Sequence, residues 1–282
     1  MLHSFVLNRS GYNLKLLGTR ISNLSQEARY WRMRISVIVP VYNEEETVAQ
    51  VLTSLSQVPL DLEVVVVDDA STDCTWEILQ ELRQKEAFTG YRFIRHNHNQ
   101  GKGAGLRTGF GLVSGDLVTV QDADMEYDPQ DIPALVQKWE EAGNSKTVVY
   151  GYRDLSGQKF TTRWGNRFLT AVTNILFGSR ISDMETCYKL IPGILARALP
   201  MEGRRFEIEP EITACILQAG YHILEIPISY KPRVAKKLNP WKDGWPALAM
   251  LLRRRFSKPF HFVAPSAAPA SVEAKQTTSV PQ

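Results

Sequence analysis

The sequence predicts an α/β protein built on a parallel sheet with helices on both faces. Three observations carry that prediction. Short, continuous apolar runs rich in β-branched residues recur along the chain, and helical segments alternate with them. The chain has 282 residues, 44% hydrophobic and 22% charged, enough to bury one full core.

Each element follows from its local pattern. Ile35–Pro40 reads as the first strand, and Glu44–Gln57 as a helix opened by Asn43. Leu62–Val67 is a second buried strand, followed by a helix from Asp73 to Glu86. Tyr91–His96, Gly101–Val113 and Leu117–Gln121 give a third strand, a third helix and a fourth strand. A further helix is expected over 160–178. Composition excludes a collagenous, disordered or disulfide-stapled chain. Cys74, Cys187 and Cys215 lack metal-ligand spacing and suit a reducing compartment.

In such sheets ligands bind beyond the carboxyl ends of the strands. There the sequence places Pro40-Val41-Tyr42-Asn43-Glu44, then Asp68-Asp69-Ala70-Ser71-Thr72-Asp73, then Asp122-Ala123-Asp124-Met125-Glu126. Asn43 and Asp73 are residue types that cap helices. Three acidic strand ends at one edge nevertheless repel one another unless a cation or a ligand's donors lie among them.

Asp122-Ala123-Asp124 is the sharpest feature, and its two carboxylates converge only if the strand ends in a turn. Asp124 would then bind Mg²⁺ or Mn²⁺ directly, Glu126 would add an oxygen, and Asp122 would reach the metal or a ribose. The plainer alternative is a solvated acidic turn. Asn99-Gln100-Gly101-Lys102-Gly103-Ala104-Gly105 follows a strand and opens a helix, but it has neither the phosphate-loop nor the dinucleotide spacing. It reads as a glycine-rich helix start beside a nucleotide pocket, with Lys102 and Arg107 supplying positive charge.

Ile35–Glu44, Asp68–Asp73, Asn99–Arg107 and Asp122–Asp124 together resemble the inverting family 2 glycosyltransferases with the GT-A fold. Gly151-Tyr152-Arg153, Arg163–Arg167, Ser182–Lys189, Phe206–Glu209, Glu225–Tyr230 and the basic stretch Arg233 to Lys237 are similar to the dolichol-phosphate mannosyltransferase-like group. The resemblance covers roughly residues 35–256. It implies a Rossmann-like three-layer sandwich on a mostly parallel sheet, and transfer of a hexose from a GDP- or UDP-sugar to a polyprenyl phosphate.

Carried over by position, the resemblance gives Pro40, Tyr42 and Glu44 to the base and ribose, with Asp68 or Asp69 assisting. Asp122, Asp124 and Glu126 would surround the metal, Arg153 and Arg163 would bind the acceptor phosphate, and Arg233 with Lys237 the donor diphosphate. Asp183 would either take a proton from a hydroxyl acceptor or orient acceptor-site cations. Cys74 and Cys187-Tyr188 depart from the group's usual residues. A sugar or protein hydroxyl is the alternative acceptor, and a non-catalytic nucleotide-sugar module is a further reading.

Charge is uneven along the chain. Lys231–Phe260 holds nine Lys or Arg against one acid, Asp243. No nucleic-acid motif accompanies it, so no nucleic-acid partner is expected. The expected layout is a basic extension over 1–34, a catalytic domain over 35–240, an amphipathic basic helix over 241–258 and a disordered tail over 259–282. That helix is too short to span a bilayer. It would either pack on the core or lie at a membrane surface with Arg253–Arg255 near anionic headgroups. The expected location is cytoplasmic, peripheral to the membrane face.

Overall fold

A computed structural model describes residues 33–233 and 240–263. The predictions for 1–32, for Lys237 and for the tail beyond 263 fall outside the described residues.

β1 (Arg34–Val41), β2 (Asp61–Asp68), β3 (Arg92–Arg95) and β4 (Leu117–Val120) are the four strands read from the apolar runs. α1 (Val48–Ser56), α2 (Thr75–Arg83) and α3 (Lys102–Leu112) alternate with them. The chain continues through α4 (Ile132–Ala142), β5 (Thr147–Arg153), α5 (Phe160–Phe177), β6 (Lys189–Pro192) and α6 (Gly193–Ala196). It ends in α7 (Ile208–Gln218), β7 (His222–Ile228) and α8 (Pro240–Phe256). The strands form one seven-stranded sheet ordered β3-β2-β1-β4-β6-β5-β7. This mixed, mostly parallel sheet with helices packed on it is a GT-A fold.

β1 is paired in parallel with β2 on one side and β4 on the other. Its apolar residues are buried because helices cover both faces, which is why no polar alternation marks it. Order reverses between β1 and β4, and such a switch point opens a crevice beyond the carboxyl ends. β6 runs antiparallel to both β4 and β5. The segment preceding β6 therefore lies at the same edge as the segments following β4 and β5.

One local expectation is corrected. α1 begins at Val48 with Thr47 in the capping position, not at Asn43. Asn43 has a left-handed φ of 52° and its Oδ1 accepts the Thr72 N–H at 2.8 Å, tying the turn after β1 to the turn after β2. Asp73 does accept the Thr75 N–H at 3.0 Å, just outside the start of α2.

α8 packs against α5 and α7. Ala247 and Leu251 join Leu169, Ile181 and Met184 in a buried apolar cluster. Arg254 also turns inward and is 8% exposed, bound to Glu211 and to the Pro200 carbonyl. It cannot face headgroups together with its neighbours, because a helix sends adjacent side chains about 100° apart.

Candidate active site

A cavity of 1560 Å³ opens at this edge of the sheet. Pro40, Tyr42, Glu44, Asp69, Lys102, Asp122, Asp124, Glu126, Arg153 and Arg233 all line it. They arrive there on the ends of β1 and β5, on the turns after β1, β2, β4 and β7, and on the first turn of α3. Thr47 fastens two of these turns by donating to the Ala123 carbonyl at 2.7 Å.

Around the Asp122–Glu126 turn, a cation reaches Asp122 and a hydroxyl and a backbone N–H reach Glu126, while Asp124, among the described residues, is left with one backbone N–H. Lys102 Nζ sits 2.8 Å from Asp122 and 3.2 Å from Glu209. Burial opposes the Lys102 charge, but these two carboxylates hold it protonated. Glu126 accepts from the Tyr230 hydroxyl at 2.7 Å and from the Arg233 N–H at 2.7 Å. Asp124 accepts the Glu126 N–H at 3.1 Å. Burial first, then the charges of Asp122 and Glu126, push its carboxyl up to about 7.

The expected three-carboxylate metal set is therefore not assembled. Among the described residues no group of three His, Cys, Asp or Glu side chains is placed to hold an ion. Two of the three carboxylates are turned to cationic or hydroxyl partners instead. The all-oxygen donor set and the electrostatic deficit at Asp124 nonetheless fit Mg²⁺ or Mn²⁺, which need only one or two protein carboxylates when phosphate oxygens complete the shell.

At the end of β2 the adjacent acids separate. Asp69 lines the cavity, whereas Asp68 is fully buried away from it, bound to Ser71 and 3.2 Å from Arg95. Asp68 is thus corrected from a ligand contact to a structural acid. Asp69 accepts from His96 Nδ1 at 2.7 Å and from the Gln100 and Gly101 N–H groups at 3.0 and 2.7 Å. It thereby organises the glycine-rich start of α3. A Cβ on Gly101 or Gly103 would stand 2.3 Å from a carbonyl of the 203–204 loop. The glycines allow that loop to close on α3, and the Gly103 N–H is spent on Arg204.

Arg153 closes the other side. Its Nε and Nη2 meet Asp183 at 2.6 and 2.8 Å, and Tyr230 stacks under the guanidinium at 5.3 Å. Asp183 lies behind Arg153 rather than on the cavity surface, and Asn166 donates to it at 2.9 Å. Burial would raise the Asp183 pKa, but Arg153 and the surrounding donors hold it below the ordinary carboxylate value. Arg163, expected beside Arg153, does not line the cavity; its charge acts on Asp154 instead. Arg233 is paired with Glu44, Nη2 to Oε2 at 2.6 Å.

Sequence reasoning missed Glu185 and Glu209, both on the cavity wall. Their signal was membership of the segments quoted for the resemblance, Ser182–Lys189 and Phe206–Glu209, in which neither acid was given a role. It also missed the apolar wall that Phe160, Trp164, Phe168 and Leu169 of α5 form with Trp245 and Leu248 of α8. Phe160, Trp164, Trp245 and Phe256 are 61–78% exposed. No helix of the described residues is long and apolar enough to cross a membrane.

Residues 36–194 match the family model described as glycosyl transferase family 2. Dolichol-phosphate mannosyltransferase of Pyrococcus furiosus is 36% identical over 129 residues, 45% of this chain and 35% of that protein. Undecaprenyl-phosphate 4-deoxy-4-formamido-L-arabinose transferase of Edwardsiella ictaluri is 32% identical over 155 residues, 53% of this chain and 46% of that protein. The matched stretches thus span less than half the length of these curated relatives. Glucosyl-3-phosphoglycerate synthase from Mycobacterium tuberculosis, solved with Mn²⁺, UDP-glucose and phosphoglyceric acid, superposes with a TM-score of 0.63 at 22% identity over 86% of each chain. That likeness is one of fold.

Proposed function

Because the chain belongs to glycosyl transferase family 2, we propose that it moves a hexose from a nucleoside-diphosphate sugar to a polyprenyl phosphate, with Mg²⁺ or Mn²⁺ as cofactor. One observation carries the choice of acceptor. A single cavity joins the charged groups Lys102, Asp124 and Arg153 to an apolar wall of Phe160, Trp164, Leu169 and Trp245. An acceptor with a phosphate head and a long apolar tail suits both halves, whereas a free sugar would leave the wall against water. The relatives named for dolichol-phosphate and undecaprenyl-phosphate transfer support the same class.

On this reading the donor's base and ribose occupy the Pro40, Tyr42 and Glu44 side, and its diphosphate lies toward Lys102 and Arg233. Asp124, with Asp122 or Glu126, would hold the divalent ion, which when bound offsets the charge that grows on the leaving diphosphate. Arg233 must exchange Glu44 for phosphate oxygens, a substitution of one bidentate anion by another. Arg153, held in orientation by Asp183, receives the acceptor phosphate. That phosphate is already ionised, so the transfer needs no protein base, in keeping with the commitment of Asp183 to Arg153. The exposed aromatics of α5 and α8 rest at a membrane surface, where the lipid acceptor is found.

The test is release of nucleoside diphosphate from a panel of GDP- and UDP-hexoses, mannose first, with and without a short polyprenyl phosphate. Release that requires the lipid phosphate and a divalent ion, and that Asp124→Asn abolishes, supports the proposal. Release that ignores the lipid but rises with a sugar acceptor replaces it by transfer to a hydroxyl.

A further inference from the structure

Glu185 is a half-buried acid that nothing above uses. It lies between Asp183 and β6 and lines the cavity, yet its Oε1 is buried without a hydrogen-bond partner. The cations nearest to it are committed elsewhere. Lys189 Nζ is 2.5 Å from Glu209 and also donates to the Thr186 carbonyl, while Arg153 is clamped by Asp183. Burial, then the charge of Glu209, push the Glu185 carboxyl up to about 7 against the pull of Lys189 and Arg153. A carboxyl so placed is costly unless something enters the cavity to bond with it.

Its surroundings say what that ligand is. Toward the amino terminus, Asp183 fixes Arg153, which is assigned to the acceptor phosphate. On the other side, Glu209 holds Lys102 at 3.2 Å, and Lys102 holds Asp122 at 2.8 Å, the groups assigned to the donor diphosphate. Between a donor diphosphate and an acceptor phosphate lies the sugar being transferred. A carboxyl suits that place, since it accepts hydrogen bonds from sugar hydroxyls when ionised and can also donate one when protonated.

We propose that Glu185 contacts the hydroxyl groups of the transferred hexose and so helps determine which sugar the enzyme accepts. The assignment rests on the transferase reading given above. It makes Glu185 a specificity residue: a donor lacking the matched hydroxyl would leave the carboxyl without that bond.

The experiment compares the nucleotide sugar turned over by the unsubstituted protein with its monodeoxy analogues, one for each ring hydroxyl, in the unsubstituted protein and in Glu185→Ala. In the unsubstituted protein one analogue should lose about 10- to 100-fold in kcat/KM, the scale of a hydrogen bond to a carboxyl. Glu185→Ala should lose a similar factor on the parent donor and almost nothing further on that analogue. Affinity for the nucleoside diphosphate alone should stay the same, showing that the pocket is intact. Should Glu185→Ala not fold, Glu185→Met, close in shape but without a hydrogen-bonding oxygen, carries the comparison.

Equal losses for every analogue in both proteins, or an unchanged parent rate in the variant, overturn the assignment and leave the transferase reading standing. A fall in kcat that is the same for all donors also overturns it and points to proton handling. If the unsubstituted protein turns over no nucleotide sugar, the transferase reading fails first and the role of Glu185 with it.

Discussion

Arg153 and Asp183 form a two-point ion pair in the wall of the cavity, Nε to Oδ2 at 2.6 Å and Nη2 to Oδ1 at 2.8 Å. The Arg153 N–H adds a third bond to Oδ2 at 3.2 Å, and Asn166 a fourth to Oδ1 at 2.9 Å. So many donors hold the carboxylate ionised and oriented. An acid in that position aims a guanidinium and is a poor acceptor of a proton.

Asp183→Asn should therefore raise the KM for the lipid phosphate more than it lowers kcat. Losing one charged partner of a close pair predicts about a 10- to 100-fold cost in kcat/KM. The pH profile should keep its shape. Loss of the acidic limb of the kcat profile in this variant would make Asp183 a general base instead.

The half-buried Glu185 predicts a pH signature in stability. Its pKa is raised from the ordinary 4.5 to about 7, chiefly by burial and then by Glu209. Its favourable contribution is therefore complete below its unfolded value and is lost as pH rises through about 7. Relative to the unsubstituted protein, Glu185→Gln should gain on the order of 1–3 kcal/mol between pH 5 and pH 8. Urea titrations at the two pH values, in chelator, measure that difference. A variant whose stability tracks the unsubstituted protein at both would contradict the burial described here.

The glycines at the start of α3 make a steric prediction. Gly103→Ala places a methyl group 2.3 Å from the Gly203 carbonyl carried by the opposing loop. Backbone on both sides leaves no flexible chain end to yield, so a cost of about 1–3 kcal/mol is expected. The separation of that loop from Lys102 should also weaken nucleotide binding, read by thermal shift with GDP and UDP.

Much of this arrangement was legible in sequence because strand ends in a parallel sheet have a fixed chemistry. The apolar runs located β1, β2 and β4, and their ends placed Glu44, Asp69 and Asp122–Glu126 at one edge. What stayed hidden depended on side-chain direction and on pairing. Asp68 and Asp69 are neighbours, and period-two alternation sends one into the core and the other toward the cavity. Arg163 does not line the cavity that Arg153 lines, a difference that a list of cations does not show. Glu185 was missed because only the reversal of β6 brings the segment before a strand to the edge where other strands end.

The exposed aromatics predict attachment to membranes. Trp164 and Phe168 stack at 5.5 Å on α5, and Trp245 stands 69% exposed on α8. Sedimentation with anionic phospholipid vesicles should recover the protein, and Trp164→Ser with Trp245→Ser should lower recovery about tenfold, as burial of such apolar area implies. Recovery that the double variant leaves unchanged would place the membrane contact elsewhere or remove it.

The central claim is transfer of a sugar onto a lipid phosphate, and the most direct measurement is the mass of the product. The protein is incubated with the donor, a divalent ion and a short polyprenyl phosphate, and the lipid fraction is analysed by mass spectrometry. The account predicts a lipid phosphate heavier by one hexose residue, absent with Asp124→Asn and absent without the ion. An unmodified lipid beside a glycosylated sugar or other hydroxyl acceptor would contradict it.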